Sequence, residues 1–536
     1  MTKRSIDAFL SANACMKTLP ATRLSQRELQ LRHLLLDVSD YVNRVGGPKQ
    51  PVVIRWAGGW VRDKMLGIES HDVDVAVNEM TGVKFAQLMR EYCITDLAIQ
   101  KHSIKPDDIG NLHQVARNPD KSKHLETAML RIFGLEIDIV NLRKETYSEN
   151  SRNPTVEFGT PEEDALRRDA TINALFYNIH TGELEDFVGG LHDLEGKLIR
   201  TPLDPLETFK DDPLRVLRLV RFASHLNFAI DKTAREVMAH AQVLKSLQLK
   251  ISRERVGTEL EKMLKGNGPR PALELVDKLN LYSSIFTLSA PHDSLRPDTS
   301  RWHVAYNCLE SLLQDRKPGS LGSLLILSDD AAYVAWNLAA MVPWMAVKRL
   351  PTESKKAQAL PPVTIAAREG YKASKKLTDI ITACHRNFQE ILNFKTAVCG
   401  KEPVRHARDT LGMAIRRWDS SGGAWTLQVL NALLVEATHI MAEWPADGET
   451  ARERFIHGWQ RFLDQVIELD VYDAPAVKRL LDGHSLAHAF GLGPGKWMGK
   501  ALDMALEWQF RNPHETNPAG AISEIRRRRS ELDIDS

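Results

Sequence analysis

The sequence predicts an α+β fold, a mixed α/β head followed by an elongated all-helical remainder. Three observations carry this expectation. Residues 49–202 interleave helical stretches with short β-rich runs: PVVIRWA (51–57), DVDVAVN (72–78), LRIFGLEIDIVNL (130–142) and ALFYNI (174–179). From about residue 205 the apolar spacing is helical almost throughout, as in DPLRVLRLVRFASHL (212–226) and RERVGTELEKML (253–264). Pro and Ser then cluster at 287–299 and 350–363, marking breaks between helical modules. A chain of 536 residues exceeds one hydrophobic core. The expected segments are an N-terminal helical extension (1–48), the head (49–202), and helical modules at 203–290, 291–405 and 406–536.

Composition narrows the class. With 43% hydrophobic and 26% charged residues the chain reads as an ordinary globular protein. Its net charge of +1 is not that of a strongly basic protein, so any nucleic-acid partner would need Lys and Arg gathered on one face. Five scattered cysteines (Cys15, Cys93, Cys308, Cys384, Cys399) without a CxxC read as reduced thiols of an intracellular protein rather than a zinc site. No apolar run reaches the ~18 residues that span a bilayer, so no membrane association is expected. Lys3, Arg4, Lys17, Arg23 and Arg27, with only Asp7 as an early acid, give a weak organelle-presequence pattern that an N-terminal helix explains equally well. Arg526 to Arg529 form a basic run, read as a solvated tail, with nuclear import or phosphate contact as alternatives.

The informative stretch is RWAGGWVRDKMLGIESHDVDVAVN (55–78). A strand ends at Gly58–Gly59 and a short helix follows from about Trp60. Glycines there let backbone amides approach phosphate oxygens at a helix N-terminus, with Arg62 in the first turn to grip a triphosphate. In the next strand Asp72 and Asp74 share one face while Val73, Val75 and Val77 share the other. Carboxylates ~7 Å apart along a strand suit a pair of magnesium ions, one activating a hydroxyl and one holding the triphosphate. Asp138 in GLEIDIVNL is a candidate third carboxylate, with Glu136 competing for the role. A lone DxD would more simply be a solvated edge, but the valine flanks and the preceding GGxxRD favour a site.

GGWVRD followed by DVD resembles the first motif of the polymerase-β nucleotidyltransferase superfamily, and more narrowly class II tRNA nucleotidyltransferases and bacterial poly(A) polymerases. Gly58, Gly59, Arg62 and Asp63 are then nucleotide-binding, and the resemblance implies a nucleotidyltransferase head with helical neck, body and tail. RRDATINALFYNI (167–179) is similar to the second motif, where Arg168, Asp169 and Asn173 would favour a ribonucleotide. Alone, this stretch would be a helix cap with a surface ion pair. DFVGGLHDLEGKLIRT (186–201) is similar to the hinge-like third motif. ISRERVGTELEKML (251–264) is similar to the fifth, with Arg253, Glu254 and Arg255 structural.

DDPLRVLRLVRFA (211–223) resembles the family's base-reading motif, with Arg218 and Arg221 further along the same helix. Asp212 and Arg215, three apart, are expected on one face. Cytosine and adenine both offer an exocyclic amine beside an unprotonated ring nitrogen, which a carboxylate and a guanidinium complement; uracil and guanine offer the reverse and are refused. The family has Glu where this chain has Asp211, a position that does not read the base. Read without the family, the stretch is an amphipathic helix with Leu217, Val220 and Ala223 inward.

Residues 101–134 lack the basic segment of poly(A) polymerases, and SKHLETA (122–128) is similar to the eukaryotic CCA-adding branch. GLGPGKWMGKALDMALEWQF (491–510) resembles that branch's tail, where Lys496 and Lys500 would meet tRNA phosphates. The resemblance therefore implies a monomeric enzyme adding C, C and A to tRNA from CTP and ATP with Mg2+ (or Mn2+), located in cytoplasm and nucleus or in the mitochondrion. Alternatives are a poly(A) polymerase, partial CC- or A-addition, and a catalytically silent tRNA-binding scaffold. GPGKWMG is not a P-loop, His484 and His488 lack the glutamate of a zinc protease motif, and His292–Asp293 lacks partner histidines.

Overall fold

The computed structural model describes residues 15–18, 24–45, 47–105, 108, 113–115, 127–148, 151–288, 295–348, 360–400, 407–442, 444 and 449–532. Most of SKHLETA, His292–Asp293, Lys3, Arg4 and Arg23 lie outside them. The chain packs as two compact units, residues 1–252 and 253–536. The expected boundary at 202/203 thus falls inside the first unit.

Ten strands of the first unit matter here: β1 (Cys15–Thr18), β2 (Ile54–Ala57), β3 (Asp72–Val77), β4 (His113–Val115), β5 (Thr127–Ile132), β6 (Leu135–Asn141), β7 (Arg143–Ser148), β8 (Ser151–Phe158), β9 (Phe176–Asn178) and β10 (Glu183–Asp186). Eight form one sheet in the order β1-β10-β9-β2-β3-β6-β5-β4, and β7 and β8 make a separate ribbon. The central pair β3–β6 is parallel and its neighbours are antiparallel. Period-2 patterning explains the centre: Val73, Val75 and Val77 of β3 are buried while Asp72 and Asp74 are exposed. Each such valine contributes about 1.5–3 kcal/mol by leaving water. LRIFGLEIDIVNL folds as the β5–β6 hairpin, turning through Phe133 and Gly134, both with positive φ.

Helices α1 (Gln26–Val45), α2 (Gly59–Leu66) and α3 (Gly82–Cys93) pack on this sheet: α1 meets β2 and α3, and α3 lies on β5 and β6. The N-terminal segment is therefore only partly the expected helical extension. Its β1 pairs antiparallel with β10, Cys15 opposite Asp186, because that strand edge would otherwise leave backbone groups unpaired. Its helix α1 starts with a reciprocal cap, Ser25 N to Glu28 Oε2 at 2.6 Å and Glu28 N to Ser25 Oγ at 3.3 Å.

The chain continues through α4 (Pro161–Leu166), a 3-10 turn at Thr171–Asn173, α5 (Gly190–Glu195), α6 (Pro205–Asp211) and α7 (Arg215–Leu226). Gly190 is obligatory by contact, since a Cβ there would sit 2.3 Å from Thr171 O. Every regular element described in the second unit is helical or 3-10. Its central helix Trp425–Ile440, buried along most of its length, packs against helices Trp302–Gln314, Asp329–Met345 and Lys375–Gly400. A separate apolar cluster built on Leu481, Leu486, Trp497, Met504 and Ile525 holds the tail helices together.

Gly82 begins α3 directly over β6, and a Cβ at that position would lie 2.1 Å from Ile139 O. Gly82→Ala should therefore destabilise the first unit by about 1–3 kcal/mol, read as a lowered chemical-denaturation midpoint; an unchanged midpoint would contradict this packing.

Candidate active site

The carboxylates assemble through strand register. Asp72 lies opposite Glu136 and Asp74 opposite Asp138 on the parallel pair, so all four point to one face, while Val73, Val75, Ile137 and Ile139 are buried on the other. The two candidates for a third carboxylate differ in their other neighbour. Glu136 has Arg131 opposite it on β5, whereas Asp138 has Met129. Burial pushes Asp138 up to about 6, and the negative charges of Asp74, Asp72 and Glu136 add to the shift. Burial of its carboxyl also raises Asp74, although the residue reaches solvent; Arg168 and Arg218 oppose that shift and the charge of Asp72 adds to it. Three or more His, Cys, Asp or Glu side chains do not close around one point among the described residues. Two carboxylates on an open, mutually repelling face nevertheless fit a hard divalent cation whose remaining positions go to phosphate and water.

β2 delivers the phosphate-facing turn to the same place. Ala57 pairs with Asp74, and Gly58 follows with φ 71° and ψ −133°. A Cβ on Gly58 would stand 3.0 Å from both Arg168 Nη1 and Asp74 Oδ2, so the missing side chain is what lets guanidinium and carboxylate approach. Gly59 then opens α2, as expected from the sequence. Arg62 Nη1 donates to Asn173 Oδ1 at 2.6 Å, while its Nε and Nη2 donate to Asp63 at 2.8 and 3.0 Å.

The RRD segment forms the opposite wall. Asp164, almost fully buried on α4, accepts from Arg168 Nε and Nη2 at 3.0 and 2.9 Å and from Arg167 Nη2 at 2.5 Å. Arg168 Nη1 donates to Asn173 O at 2.9 Å, and its guanidinium lies over Phe176. Asp169 binds Arg218 Nε and accepts from Asn173 Nδ2 at 3.4 Å. Burial would raise Asp169, but the cationic Arg218 and Arg215 hold it below the usual carboxylate range. Phe222 on α7 carries three guanidinium groups over its ring, those of Arg221, Arg218 and Arg62 at 4.5, 5.4 and 5.8 Å. Arg62, Arg168, Asp169, Asn173, Arg218 and Arg221 thus converge.

One expectation needs correction. Asp212 and Arg215 do not share a helical face, because Asp212 closes α6 in an extended conformation (φ −135°, ψ 97°). Pro213 disfavours the helical region at the residue before it, and this breaks the helix. Asp212 Oδ1 accepts from Leu214 N at 3.1 Å, and Arg215, first residue of α7, is buried and donates to Arg167 O at 2.7 Å. In the second unit, Lys496 and Lys500 are exposed near the start of helix Trp497–Arg511, and Trp497 is buried against Phe490.

Three residues of this arrangement, Asp164, Phe222 and Glu28, are not among those that the sequence motifs single out. Asp164 stands three and four residues before Arg167 and Arg168, a readable i,i+3/i+4 signal. Phe222 was hidden among apolar helix residues. Glu28 has its partners in another element.

A parallel β3–β6 pair carrying aspartates beside a Gly-Gly helix start, walled by an Arg-Asp segment, defines a nucleotidyltransferase head. Residues 54–200 match the family model described as the poly A polymerase head domain, and residues 227–291 match one described as a probable RNA and SrmB-binding site of polymerase A. The chain is 57% identical to the nucleotidyltransferase lcsQ of Purpureocillium lilacinum, over 99% of this chain and 97% of that protein. It is 36% identical to the mitochondrial CCA tRNA nucleotidyltransferase of Saccharomyces cerevisiae, over 96% and 97% of the two chains. A CCA-adding enzyme solved in an apo form superposes with a TM-score of 0.62 at 19% identity, covering 96% of this chain and 99% of that one, which shows the shared fold. The chain belongs to the tRNA nucleotidyltransferase family, whose members depend on divalent metal.

Gly58→Ala places a methyl between Arg168 and Asp74 and forces a left-handed backbone on alanine. Nucleotide incorporation should fall about 100-fold with a modest loss of melting temperature; wild-type turnover would show that this close approach is dispensable.

Proposed function

We propose that the chain adds cytidine, cytidine and adenosine to the 3′ end of tRNA, taking CTP and ATP without a nucleic-acid template and releasing pyrophosphate. The observation that carries the reading is the register that sets Asp138 beside Asp74, next to the Gly58–Gly59 turn. The full-length likeness to an enzyme named for CCA addition supports the substrate. Asp72 and Asp74, with Asp138 as third carboxylate, would hold two Mg2+ (or Mn2+), which when bound lower the pKa of the attacking 3′-hydroxyl and balance charge on the leaving pyrophosphate.

The chain's own groups supply the rest. Amides at Gly58–Gly59 and the guanidinium of Arg62 bind the triphosphate. Asp169, kept ionised by Arg218, accepts from a 2′-hydroxyl and so favours a ribonucleotide. Asp212 and Arg215 read the base edge. They reach it from the end of α6 and the start of α7, with Arg215 held on the Arg167 carbonyl. Lys496 and Lys500 would meet tRNA phosphates. The proposal includes action as a monomer and, beside a cytoplasmic and nuclear pool, a mitochondrial one like that of the yeast relative. No helix among the described residues is long and apolar enough to cross a membrane.

A tRNA transcript lacking its last three nucleotides, incubated with Mg2+ and labelled nucleotides, tests the reading by product length. Growth by two with CTP and by three with CTP and ATP is expected. A long ladder with ATP alone would make the chain a poly(A) polymerase, growth stopping short of three would make addition partial, and no growth would point to a binding scaffold. Asp72→Ala and Asp74→Ala should each lower turnover by about 10³-fold with tRNA affinity retained, and turnover retained in both would remove the metal assignment. Asp212→Ala combined with Arg215→Ala should raise UTP and GTP incorporation about 10- to 100-fold; continued full exclusion would place the base reader elsewhere.

A further inference from the structure

Helix α2 has two opposed faces. Trp60 and Lys64 are four residues apart and share one face, and both bond the same carboxylate of α1. Trp60 Nε1 donates to Glu28 Oε1 at 3.0 Å and Lys64 Nζ to Glu28 Oε2 at 2.8 Å. Arg62, two residues on from Trp60 and so about 200° around the helix, leaves from the other side and meets Asn173 at 2.6 Å. Glu28 is 2% exposed, and its Oε2 accepts a further hydrogen bond from Ser25 N.

A helix of only eight residues has too few internal bonds to fix its own roll. Glu28 does so by gripping two successive turns. Trp60 is at the same time wedged against Trp56 and Tyr177, ring centroids 4.6 and 6.1 Å away, and this resists translation along the sheet. The N-terminal turn of α2, Gly58–Gly59, and the Arg62 face are not held by Glu28 and look toward Asn173 and Asp74 instead. A rotation of the helix by one residue would carry Arg62 away from Asn173 and turn the first amides away from the carboxylate face.

We propose that Glu28 is a positioning residue for nucleotide binding: from α1 it holds the roll of α2 so that Gly58–Gly59 and Arg62 face the incoming triphosphate. The inference rests on the reading of Arg62 and the Gly58–Gly59 turn as triphosphate contacts. Glu28 reaches neither metal nor substrate and acts through Trp60 and Lys64. Its effect is on affinity for the triphosphate, shared by CTP and ATP because the base is read elsewhere.

Calorimetric titration of the full chain with CTP and with ATP in Mg2+, alongside tRNA binding and melting temperature, tests this. Glu28→Gln retains the acceptor for Trp60 and loses the charge that pairs Lys64. It should weaken CTP and ATP alike, about 5- to 20-fold, with tRNA affinity and rejection of UTP unchanged. Lys64→Met, which leaves Glu28 in place, should weaken both nucleotides in the same direction and carries the comparison if Glu28→Gln does not fold. Ser25→Ala is the structural control: it removes the Oγ half of the α1 cap without touching α2 and should lower the melting temperature while leaving nucleotide affinity at the wild-type value. Wild-type affinity in both Glu28→Gln and Lys64→Met overturns the proposal, as does an equal loss of affinity in Ser25→Ala. Because the readout is triphosphate affinity, a chain found to add only part of CCA would still show the effect, and one adding all of CCA with both Glu28→Gln and Lys64→Met at wild-type affinity would refute this inference while leaving the proposed function in place.

Discussion

Asp72, Asp74 and Asp138 repel one another across a strand register that fixes them side by side, and much of the first unit is arranged to sustain that repulsion. Side chains on a mobile loop would swing apart. Here the backbone is the central parallel pair of an eight-stranded sheet, pinned from behind by buried valines and isoleucines. The positive charge that acts most strongly on Asp74 is that of Arg168, admitted by the absence of a side chain at Gly58. Arg168 is in turn committed to Asp164, so it tempers Asp74 without collapsing onto it. Charge alternates outward from the site, through Asp164–Arg168 on one side and Asp169–Arg218 on the other. A face left short of positive charge in this way is ready for cations that arrive with the substrate.

How much of this could be read in the chain follows from the range of each interaction. The four β-rich runs of the head and the switch to helices near residue 205 are local periodicity, and the structure has them within a few residues, whereas β4, β7, β8 and β10 carry no comparably apolar run. The shared face of Asp72 and Asp74 follows from the two-residue period of a strand, and the choice between Asp138 and Glu136 does not, because it depends on which residues of β5 lie opposite. For Asp212 and Arg215 the three-residue spacing would give a shared face only inside an unbroken helix, and Pro213 breaks it. The strand at Cys15–Thr18 pairs with a partner about 170 residues away, beyond any window of sequence pattern. Glu28 is half readable: Ser25-x-x-Glu28 is a capping box, but the bonds to Trp60 and Lys64 join two elements and leave no local trace.

The tail shows how a near-neutral chain can be misjudged from its charge runs. Arg526–Arg529 looks from sequence like a free basic patch, yet the fold engages most of it. Arg526 donates to Ala489 O and lies over Phe490, Arg527 pairs with Glu524, and Arg528 with both Glu507 and Glu531. These arginines act as clasps between the helix Ala519–Arg527, its neighbours and the turn that follows, and an import receptor would have to compete with those pairs for them. Lys496 and Lys500 differ: both are exposed, and a Gly-Pro-Gly sequence precedes them. An ammonium in water retains its charge for a phosphate, whereas a guanidinium already holding two carboxylates has little left to offer. A net charge of +1 is therefore compatible with a locally basic surface, because engaged pairs count in the total and contribute little to the field.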